Sequence, residues 1–374
     1  MPNDTATPAE PIRVAKPTLP PRAQFDELID TLYSTKWLTN NGPLVRRLES
    51  AIGDYLGCEH FSYVANGTQA LEVCIRAYGL SGSIITTPFS YVATANAIAL
   101  SGCEPVFADV DPDTLCLDPA GLAAALRPDT TAIMPVHVYG RPCDVDAIEA
   151  FAKTHDLRVI YDAAHAFGVR YRGRALMDYG DAAAVSFHAT KVFHTVEGGG
   201  VVVQAAAAHE RIGYLRAHGH AADDYRAVGL NAKGSELHAA VGLLGLPALA
   251  AAIERRRRVY EVYLAAFGDL PLEMFDPGSD PQLAYNYAYA PVRFGSAEQL
   301  LAVRSALEAH GVFARRYFWP ALHTLPQFGA PQSCPVALAV SQRMLCLPLY
   351  AELDPDDAAR IAGIVAEASV RCSP

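Results

Sequence analysis

The pattern of hydrophobic and polar positions over about residues 62–204 alternates short apolar runs with stretches of helical periodicity. The runs EPVFADV, TAIMPVHVY, LRVIYDA, AAVSFHA and GGVVVQ are rich in strand-forming residues and are bounded by Gly, Pro and Asp. Between them, TQALEVCIRAYGL, VATANAIALSG, DPAGLAAAL and DVDAIEAFAKTH repeat apolar residues at helical spacing. This alternation predicts an α/β fold with a large, mostly parallel sheet and helices on both of its faces.

The last third of the chain carries a different pattern. It becomes helical and then turns to strand-like segments rich in Tyr and Pro. It closes with a helical pattern over about residues 354–368, where the Asp-Pro pair that opens it suits a cap and a first turn. We therefore predict an N-terminal arm with a large α/β domain over residues 1–250, and a smaller C-terminal α/β domain over residues 251–374.

A long apolar stretch and a run of arginines lie near that boundary. The longest apolar stretch, Leu237 to Ile253, contains His238 and Pro247 and is short for a membrane span, so we predict a buried helix and no membrane contact. Four consecutive arginines follow at 255–258. They predict a solvated helix face, with an anion-binding role as the alternative.

The composition narrows the class of ligand. The chain has 374 residues, 51% of them hydrophobic, which is enough for a large core. Its formal net charge of −10 opposes binding to nucleic acid or to an anionic membrane, so a small metabolite is the better fit. Eight cysteines without a CxxC pair indicate neither disulfides nor zinc, and the first residues lack the features of a signal peptide. We therefore expect a reducing, cytoplasmic location.

Several familiar binding motifs are absent from the sequence. No GxGxxG follows a strand and no GxxxxGK[ST] occurs, which argues against a nicotinamide dehydrogenase. Asp109, Asp111 and Asp113 resemble the opening of a calcium loop, but the Gly and Glu that such a loop needs later are missing. His188 and His194 lack the spacing and the third ligand of a zinc site, so we predict pocket or core histidines and no metal.

An aspartate and a lysine follow two of the predicted strands. Asp162 closes LRVIYDA, and Lys191 comes after AAVSFHA in SFHATKVFHTVEGGG. In parallel sheets, ligands bind at the carboxyl ends of the strands. A partly desolvated lysine is a nucleophilic amine that captures carbonyl compounds and pyridoxal phosphate as Schiff bases, although a surface-loop lysine is the alternative for Lys191 taken alone. A carboxylate beside the pyridine nitrogen keeps that ring protonated, which would explain Asp162.

The segment ANGTQALEVCI offers a place for a phosphate group. Asn66 and Gly67 form a turn and Thr68 opens a predicted helix, whose first backbone N–H groups are free to bind an anion. Ser186, in the strand before Lys191, can add a hydroxyl. Glycine before a helix is common, so this signal is weak by itself.

Six motifs in this order resemble the sugar aminotransferases of the DegT/DnrJ/EryC1/StrS family: NGTQAL, TPFSYVATANAI, YDAAHAFG, SFHATKVFHTVEGGG, GLNAKGSELHAA and GVFARRYFWPALH. The resemblance extends from about residue 39 to the C-terminus. It implies the fold type I architecture of aspartate aminotransferase and pyridoxal 5'-phosphate as cofactor, with pyridoxamine phosphate as its aminated form.

The resemblance also implies a role for each matching residue. Lys191 would form the Schiff base with the cofactor, and Asp162 would pair with the pyridine nitrogen. His165 would lie near the phenolic oxygen, with a buried histidine satisfied by the backbone as the alternative. Tyr91 occupies the position that stacks on the ring, with a core aromatic as the alternative. The phosphate would be held by Gly67, Thr68 and Ser186, and by Asn231 from a neighbouring subunit, which implies a homodimer with shared active sites.

By the same resemblance, the chain transfers an amino group, with glutamate as the expected donor, to a nucleotide-linked 4-keto-6-deoxyhexose such as dTDP-4-keto-6-deoxyglucose. The candidate walls of the substrate cleft are the LTNNGP loop and the segment RRYFWPALH. Arginines suit a diphosphate, and aromatic faces suit a sugar or base. The predicted substrate residues are Asn41, Arg315, Arg316, Tyr317, Trp319 and His323.

Other functions remain open from the sequence. A 3-keto nucleotide sugar or another cyclic ketone is the nearest alternative acceptor, and a packed aromatic cluster is the alternative for residues 315–323. A non-catalytic regulator with this fold would be expected to lack Lys191 or Asp162, and both are present. A sugar-nucleotide reductase would need a dinucleotide-binding loop and a YxxxK pair, and neither was found.

Overall fold

The computed structural model describes residues 10–330 and 332–371. Its centre is a seven-stranded sheet with the strand order β1-β7-β6-β5-β4-β2-β3. Six strands are parallel, and β7 runs antiparallel to both of its neighbours. This confirms the prediction of a large, mostly parallel sheet. The strands are β1 (Phe61–Val64), β2 (Ser83–Thr86), β3 (Glu104–Phe107), β4 (Thr130–Met134), β5 (Arg158–Asp162), β6 (Ala182–Ser186) and β7 (Gly199–Val203).

Helices cover the sheet and pack on one another. Their apolar residues recur at helical spacing; in α2, for example, positions 44, 48, 52 and 56 all face the core. The helices are α1 (Arg22–Thr35), α2 (Pro43–Leu56), α3 (Gly67–Ala77), α4 (Ala93–Leu100), α5 (Leu122–Ala125), α6 (Val145–Thr154), α7 (Ala206–Leu215), α8 (Glu236–Gly245), α9 (Leu249–Phe267), α10 (Ala297–Ala309), α11 (Pro335–Arg343) and α12 (Pro355–Arg371).

A second, smaller sheet has its own core. It consists of β8 (Glu273–Met274), β9 (Ala290–Arg293) and β10 (Met344–Leu347), with β9 in the middle and antiparallel pairing throughout. Apolar side chains of α9, α10 and α12 pack with it in a buried cluster. Helix α9 contributes to this cluster and, through Leu249, to the core of the large sheet. It therefore crosses the domain boundary placed at residue 250, which stays a prediction.

The apolar stretch 237–253 departs from the sequence-based prediction of one continuous helix. The chain forms α8, a 3₁₀ turn over Leu246–Ala248, and then α9. Pro247 explains the interruption, because it has no backbone N–H and its ring crowds the preceding turn. The stretch Glu236–Phe267 meets the length and apolar composition of a membrane span, and its buried side packs within the folded core.

The arginine run in α9 is only partly the solvated face that the sequence predicts. Arg257 and Arg258 pair with Glu254 on the surface. Arg256, in contrast, is only 4% exposed, and its Nη1 donates to the carbonyl of Leu349 at 3.0 Å. Successive residues of a helix face different directions, so one member of the run must turn inward.

An N-terminal arm reaches both parts of the molecule. Ile12–Arg13 pairs in parallel with Val312–Phe313 beside the second core. Farther along, the carbonyl of Thr18 accepts a hydrogen bond from His194 Nε2 at 2.9 Å, and its hydroxyl donates to Glu352 Oε1 at 2.5 Å. The arm thereby fastens the loop between β6 and β7 to the C-terminal part of the chain.

Candidate active site

The carboxyl ends of β5 and β6 open into a cleft of about 270 Å³. One wall comes from the large sheet and the helices that follow its strands, and the other comes from residues beside the second sheet. Of the residues predicted from sequence, those that line the cleft are Gly67, Thr68, Tyr91, Asp162, His165, Ser186, Lys191, Arg315 and Tyr317.

Asp162 is the last residue of β5 and is only 5% exposed. Its Oδ2 accepts a hydrogen bond from the Thr94 hydroxyl at 2.7 Å, and its Oδ1 accepts one from the Ala164 N–H at 3.0 Å. Burial raises the pKa of this carboxyl above its usual value, against the lowering effects of Thr94, Ala164 and Lys191. Among the described residues no cation forms an ion pair with Asp162, so the carboxylate is in place for a cationic ligand.

Lys191 lies in the loop that joins β6 to β7. The loop is closed at its base, where the Phe187 N–H donates to Gly198 and the Thr195 N–H donates to Phe187, at 2.8 and 2.9 Å. Lys191 Nζ donates to the phenol oxygen of Tyr289 at 3.1 Å. Burial lowers the pKa of Lys191 to about 8, although Asp162 opposes this. A larger fraction of this amine than of an ordinary lysine is therefore in the neutral, nucleophilic form at physiological pH.

His165 is buried beside the lysine and is held as a neutral ring. Its Nδ1 accepts a hydrogen bond from the Tyr139 N–H at 3.1 Å, so the ring proton is on Nε2. Burial, together with the nearby Lys191, lowers the pKa of this histidine well below its usual value. The ring stacks on Phe318 at 5.6 Å between centroids. His165 therefore offers the cleft a fixed hydrogen-bond donor at all physiological pH values.

Helix α3 begins at the edge of the cleft. The Asn66 side chain caps it by accepting from the Gln69 N–H at 2.9 Å, and the first amide groups of the helix remain available to a ligand. A Cβ at Gly67 would lie 2.8 Å from the Cβ of Ser186, and one at Gly199 would lie 2.5 Å from the Asn66 carbonyl. Both glycines permit the close approach of helix and sheet, which leaves a concave surface beside the free amide groups of α3.

Tyr91 stands at the mouth of the cleft and is 56% exposed. Its carbonyl accepts a hydrogen bond from the Thr94 N–H at 3.2 Å. The hydroxyl of the same Thr94 donates to Asp162, so this residue links the main chain of Tyr91 to the carboxylate. An aromatic side chain this exposed is not a core residue, and its face is open to a planar ligand.

The opposite wall is aromatic. Tyr289, Tyr317 and Phe318 line it, and the Tyr289 and Tyr317 rings meet edge to face at 5.6 Å. The guanidinium of Arg315 lies 5.1 Å from the centre of the Tyr317 ring. Arg315 is exposed and forms no ion pair with any residue in the described ranges, so this wall presents an unneutralised positive charge.

Five of the predicted site residues do not line the cleft of this chain. Arg316 donates weakly to the carbonyls of Ser341 and Gln342 and lies over the ring of Trp319 at 4.1 Å. The side chains of Arg316 and Trp319 therefore contact each other and their own segment, and Trp319 is 44% exposed. The other three are elsewhere: His323 is buried, Asn41 lines a separate concavity beside Glu49 and Arg216, and Asn231 is exposed, with its Oδ1 accepting from Lys233.

Sequence reasoning missed several residues of the cleft. Tyr289 is the most important, because its phenol oxygen accepts a hydrogen bond from Lys191. It follows Tyr285 and Tyr287 in an alternating pattern that distinguishes none of the three. Glu197 also lines the cleft, and its position in a loop with a candidate lysine was the available signal. His188, for which the sequence predicts a pocket or core position, lines the cleft as well.

The chain is similar to known proteins over most of its length. The model of the DegT/DnrJ/EryC1/StrS aminotransferase family matches residues 22–366. The dTDP-4-amino-4,6-dideoxy-D-glucose transaminase of Shigella dysenteriae is 39% identical over 93% of this chain and 96% of its own length. The UDP-N-acetyl-3-dehydro-alpha-D-glucosamine 3-aminotransferase of Acidithiobacillus ferrooxidans is 34% identical over 86% and 87%. The structure of DesI in the presence of its TDP-sugar product superimposes with a TM-score of 0.92 at 37% identity, over 97% and 94% of the two chains.

Proposed function

Because the chain belongs to the DegT/DnrJ/EryC1/StrS aminotransferase family, we propose that it aminates C4 of a nucleoside-diphosphate 4-keto-6-deoxyhexose. The amino group comes from an amino acid, L-glutamate in this proposal, and the product is a 4-amino-4,6-dideoxy sugar nucleotide. The relative from Shigella dysenteriae, a transaminase named for such a sugar, supports this choice. The enzyme would serve deoxysugar synthesis for O-antigen, another polysaccharide or a glycoside.

The cofactor is pyridoxal 5'-phosphate, and the residues of the cleft fit it. Lys191 supplies an amine for its aldehyde, and Asp162 supplies a buried carboxylate that lacks a cationic partner among the described residues. The amide groups that begin α3, with Thr68 and Ser186, suit its phosphate. When bound, the cofactor supplies an aldehyde that carries the amino group and a ring that accepts electrons.

Lys191 acts both as the anchor and as the proton carrier. Its Nζ is desolvated, so it can release its proton near neutral pH and then take one from the donor's α-carbon. The closed base of its loop fixes the backbone from which the amine reaches the cleft. The same amine returns a proton in the second half-reaction, in which the sugar ketone accepts the amino group.

Asp162 and His165 set the charge around the cofactor. The carboxylate of Asp162 would hold a proton on the ring nitrogen, because a pair at hydrogen-bond distance and an effective dielectric near 20 is worth about 4 kcal/mol. His165 Nε2–H would donate to the phenolic oxygen. Thr94 orients the carboxylate, and the Tyr139 N–H orients the imidazole.

The observation that favours a nucleotide-linked acceptor is the free charge of Arg315 beside the aromatic wall. A guanidinium binds diphosphate oxygens, and the rings of Tyr91 and Tyr317 can pack on a sugar or base. We assign Arg315 and Tyr317 to the acceptor. A role in substrate binding remains a prediction for four other residues, Asn41, Arg316, Trp319 and His323. None of them lines the cleft of its own chain, so such a role would require contacts that this chain does not make there.

A 3-keto nucleotide sugar is the second candidate acceptor. It is favoured by the 34% identical relative named as a 3-aminotransferase. A non-catalytic regulator is disfavoured by the chain itself, because Lys191 and Asp162 are both present and converge on one cleft.

We also propose a homodimer in the cytoplasm, with each subunit lending Asn231 to the other's phosphate site. Asn231 is exposed and lies outside its own cleft, which is what such a role requires. Sedimentation at working concentration should show at least a dimer. A fully active monomer would contradict the proposed contact of Asn231 with the neighbouring subunit's phosphate site.

The acceptor is tested with the purified holoenzyme, glutamate and dTDP-4-keto-6-deoxyglucose. A new amino sugar nucleotide should be detected by mass spectrometry, and NMR should place the amine at C4. Turnover of a 3-keto sugar, with no product from any 4-keto sugar nucleotide, would reject the proposed acceptor and leave the transaminase assignment intact.

A further inference from the structure

The amine of Lys191 has one hydrogen-bond partner among the described residues. That partner is the phenol oxygen of Tyr289, 3.1 Å away. Tyr289 stands immediately before β9, so the bond joins the loop of the large sheet to the second sheet. The two residues also share a small cavity of about 10 Å³ behind the lysine. Tyr289 therefore contacts the amine of Lys191 from the part of the chain that carries the second sheet.

The ring of Tyr289 is fixed by its neighbours. His165 meets it edge to face at 4.8 Å, Tyr317 meets it at 5.6 Å, and Tyr139 lies against it at 5.7 Å. Aromatic pairs at these distances favour defined orientations. The phenol oxygen thus occupies a constant position. The lysine side chain, in contrast, has four rotatable bonds and no other hydrogen bond within residues 10–330 and 332–371.

We propose that Tyr289 is a positioning residue for Lys191, whose phenol holds the freed amine within reach of the reacting carbon between the two half-reactions. A lysine that has left the cofactor must neither swing into solvent nor lose its orientation. An amine donates and a phenol accepts, so the observed pair suits this task. Burial raises the pKa of Tyr289, which keeps the phenol neutral.

The bond should also affect the charge of the amine. Lys191 faces Asp162 from β5, Tyr91 from the start of α4, Tyr317 and Tyr289 from the aromatic wall, and the neutral ring of His165. Burial lowers the pKa of Lys191, and an acceptor on Nζ opposes that effect because it stabilises the ammonium form. Removing the phenol oxygen should therefore lower the pKa of Lys191 further.

The first test measures this titration without any substrate. The chain has only five lysines, so NMR of the full-length apoprotein with ¹³Cε-labelled lysine gives five signals, and Lys191→Ala identifies one of them. Tyr289→Phe should weaken proton binding by Lys191 about tenfold, the effect of one hydrogen bond to a charged group. Tyr287→Phe is the matched control, since its phenol has no hydrogen-bond partner in the described part of the chain, and it should change nothing.

The second test uses the holoenzyme. The single-turnover rate with glutamate should fall about tenfold in Tyr289→Phe with little change in the donor concentration for half-maximal rate, because the amine is misplaced and donor binding is not. A rate within twofold of the unaltered chain together with an unchanged Lys191 titration would overturn the proposal. An equal loss of rate in Tyr287→Phe would also overturn the proposal.

A third measurement does not depend on the variant folding. In the unaltered chain with ¹³Cζ-labelled tyrosine, the signal of Tyr289 should change as Lys191 titrates, and that of Tyr287 should not. A Tyr289 signal that ignores the titration overturns the proposal. The inference rests on the transaminase chemistry and not on the sugar, so these outcomes are separable from those of the amination assay.

Discussion

The two walls of the cleft are built in different ways. On the large-sheet side, Asp162 and Ser186 end parallel strands and Gly67 begins a helix, so backbone topology brings them together. On the other side, Tyr289, Tyr317 and Phe318 meet through packing of their rings. In our proposal, the first wall holds a cofactor of fixed shape, and the second faces the acceptor, which differs among the relatives.

The two walls therefore differ in how well they tolerate substitutions. The sheet wall tolerates little change, because a strand end cannot move without its neighbours. The aromatic wall can be altered one side chain at a time. Substitutions on the sheet wall should therefore abolish or greatly slow all turnover. Substitutions on the aromatic wall should change how the acceptor is bound, except at Tyr289, whose contact with Lys191 should affect the half-reaction with glutamate.

Among substitutions on the large-sheet side of the cleft, Lys191→Ala should have the largest effect on turnover. The variant should bind the cofactor without a borohydride-reducible link to protein and should lose turnover, because no other residue offers an amine at that position. Mass spectrometry after reduction measures the link. A reducible adduct that persists in this variant would move the anchor to one of the other four lysines.

Asp162→Asn should retain the fold, since the amide is nearly isosteric, and should slow the half-reaction with glutamate about a thousandfold. This is what the loss of roughly 4 kcal/mol of interaction with a protonated ring nitrogen predicts. Single-turnover absorbance changes on adding glutamate provide the rate. Near-normal rates would mean that the buried carboxylate has another role.

Gly67→Ala should weaken cofactor binding by about tenfold or more, because the new methyl group would lie 2.8 Å from the Ser186 Cβ and push the start of α3 from the phosphate position. Gly363→Ala in α12 is the control, since a Cβ there meets no atom within 4 Å. Cofactor titration followed by absorbance compares the two. Equal affinities would show that the start of α3 is not the phosphate site.

Arg315→Gln and Arg316→Gln should distinguish the two faces of the aromatic segment. Arg315→Gln should raise the KM for the sugar nucleotide about tenfold and leave the half-reaction with glutamate unchanged, because one charge-assisted contact is lost. Arg316→Gln should lower the melting temperature with little change in KM. The reverse result would mean that Arg316 turns into the cleft when substrate binds.

The smallest effect is a pH dependence. Burial lowers the pKa of Lys191 to about 8, and only the neutral amine attacks the cofactor. Covalent recombination of apoprotein with cofactor should therefore accelerate as pH rises through about 8 and level off above it. A rate that keeps rising up to the pH at which an ordinary lysine loses its proton would show that the amine is not desolvated.

The sheet wall could be predicted from sequence, and the aromatic wall only in part. Asp162 and Lys191 follow apolar strands, and strand ends in a parallel sheet converge by topology. Arg315 and Arg316 are adjacent and identical, and only the packed structure shows which of them faces the cleft. Tyr289 is one of three alternating tyrosines, so its contact with Lys191 depends on long-range packing that no local pattern encodes.

The N-terminal arm affects how the protein should be produced. A shortened chain that begins at residue 22, where the family match starts, would keep every residue assigned to the cleft. It would lose Thr18, and with it the tie between His194 and Glu352 that steadies the loop carrying Lys191. Weak or heat-sensitive activity from such a trimmed preparation would then reflect the missing arm, so affinity tags are better placed at the C-terminus and the first residues left intact.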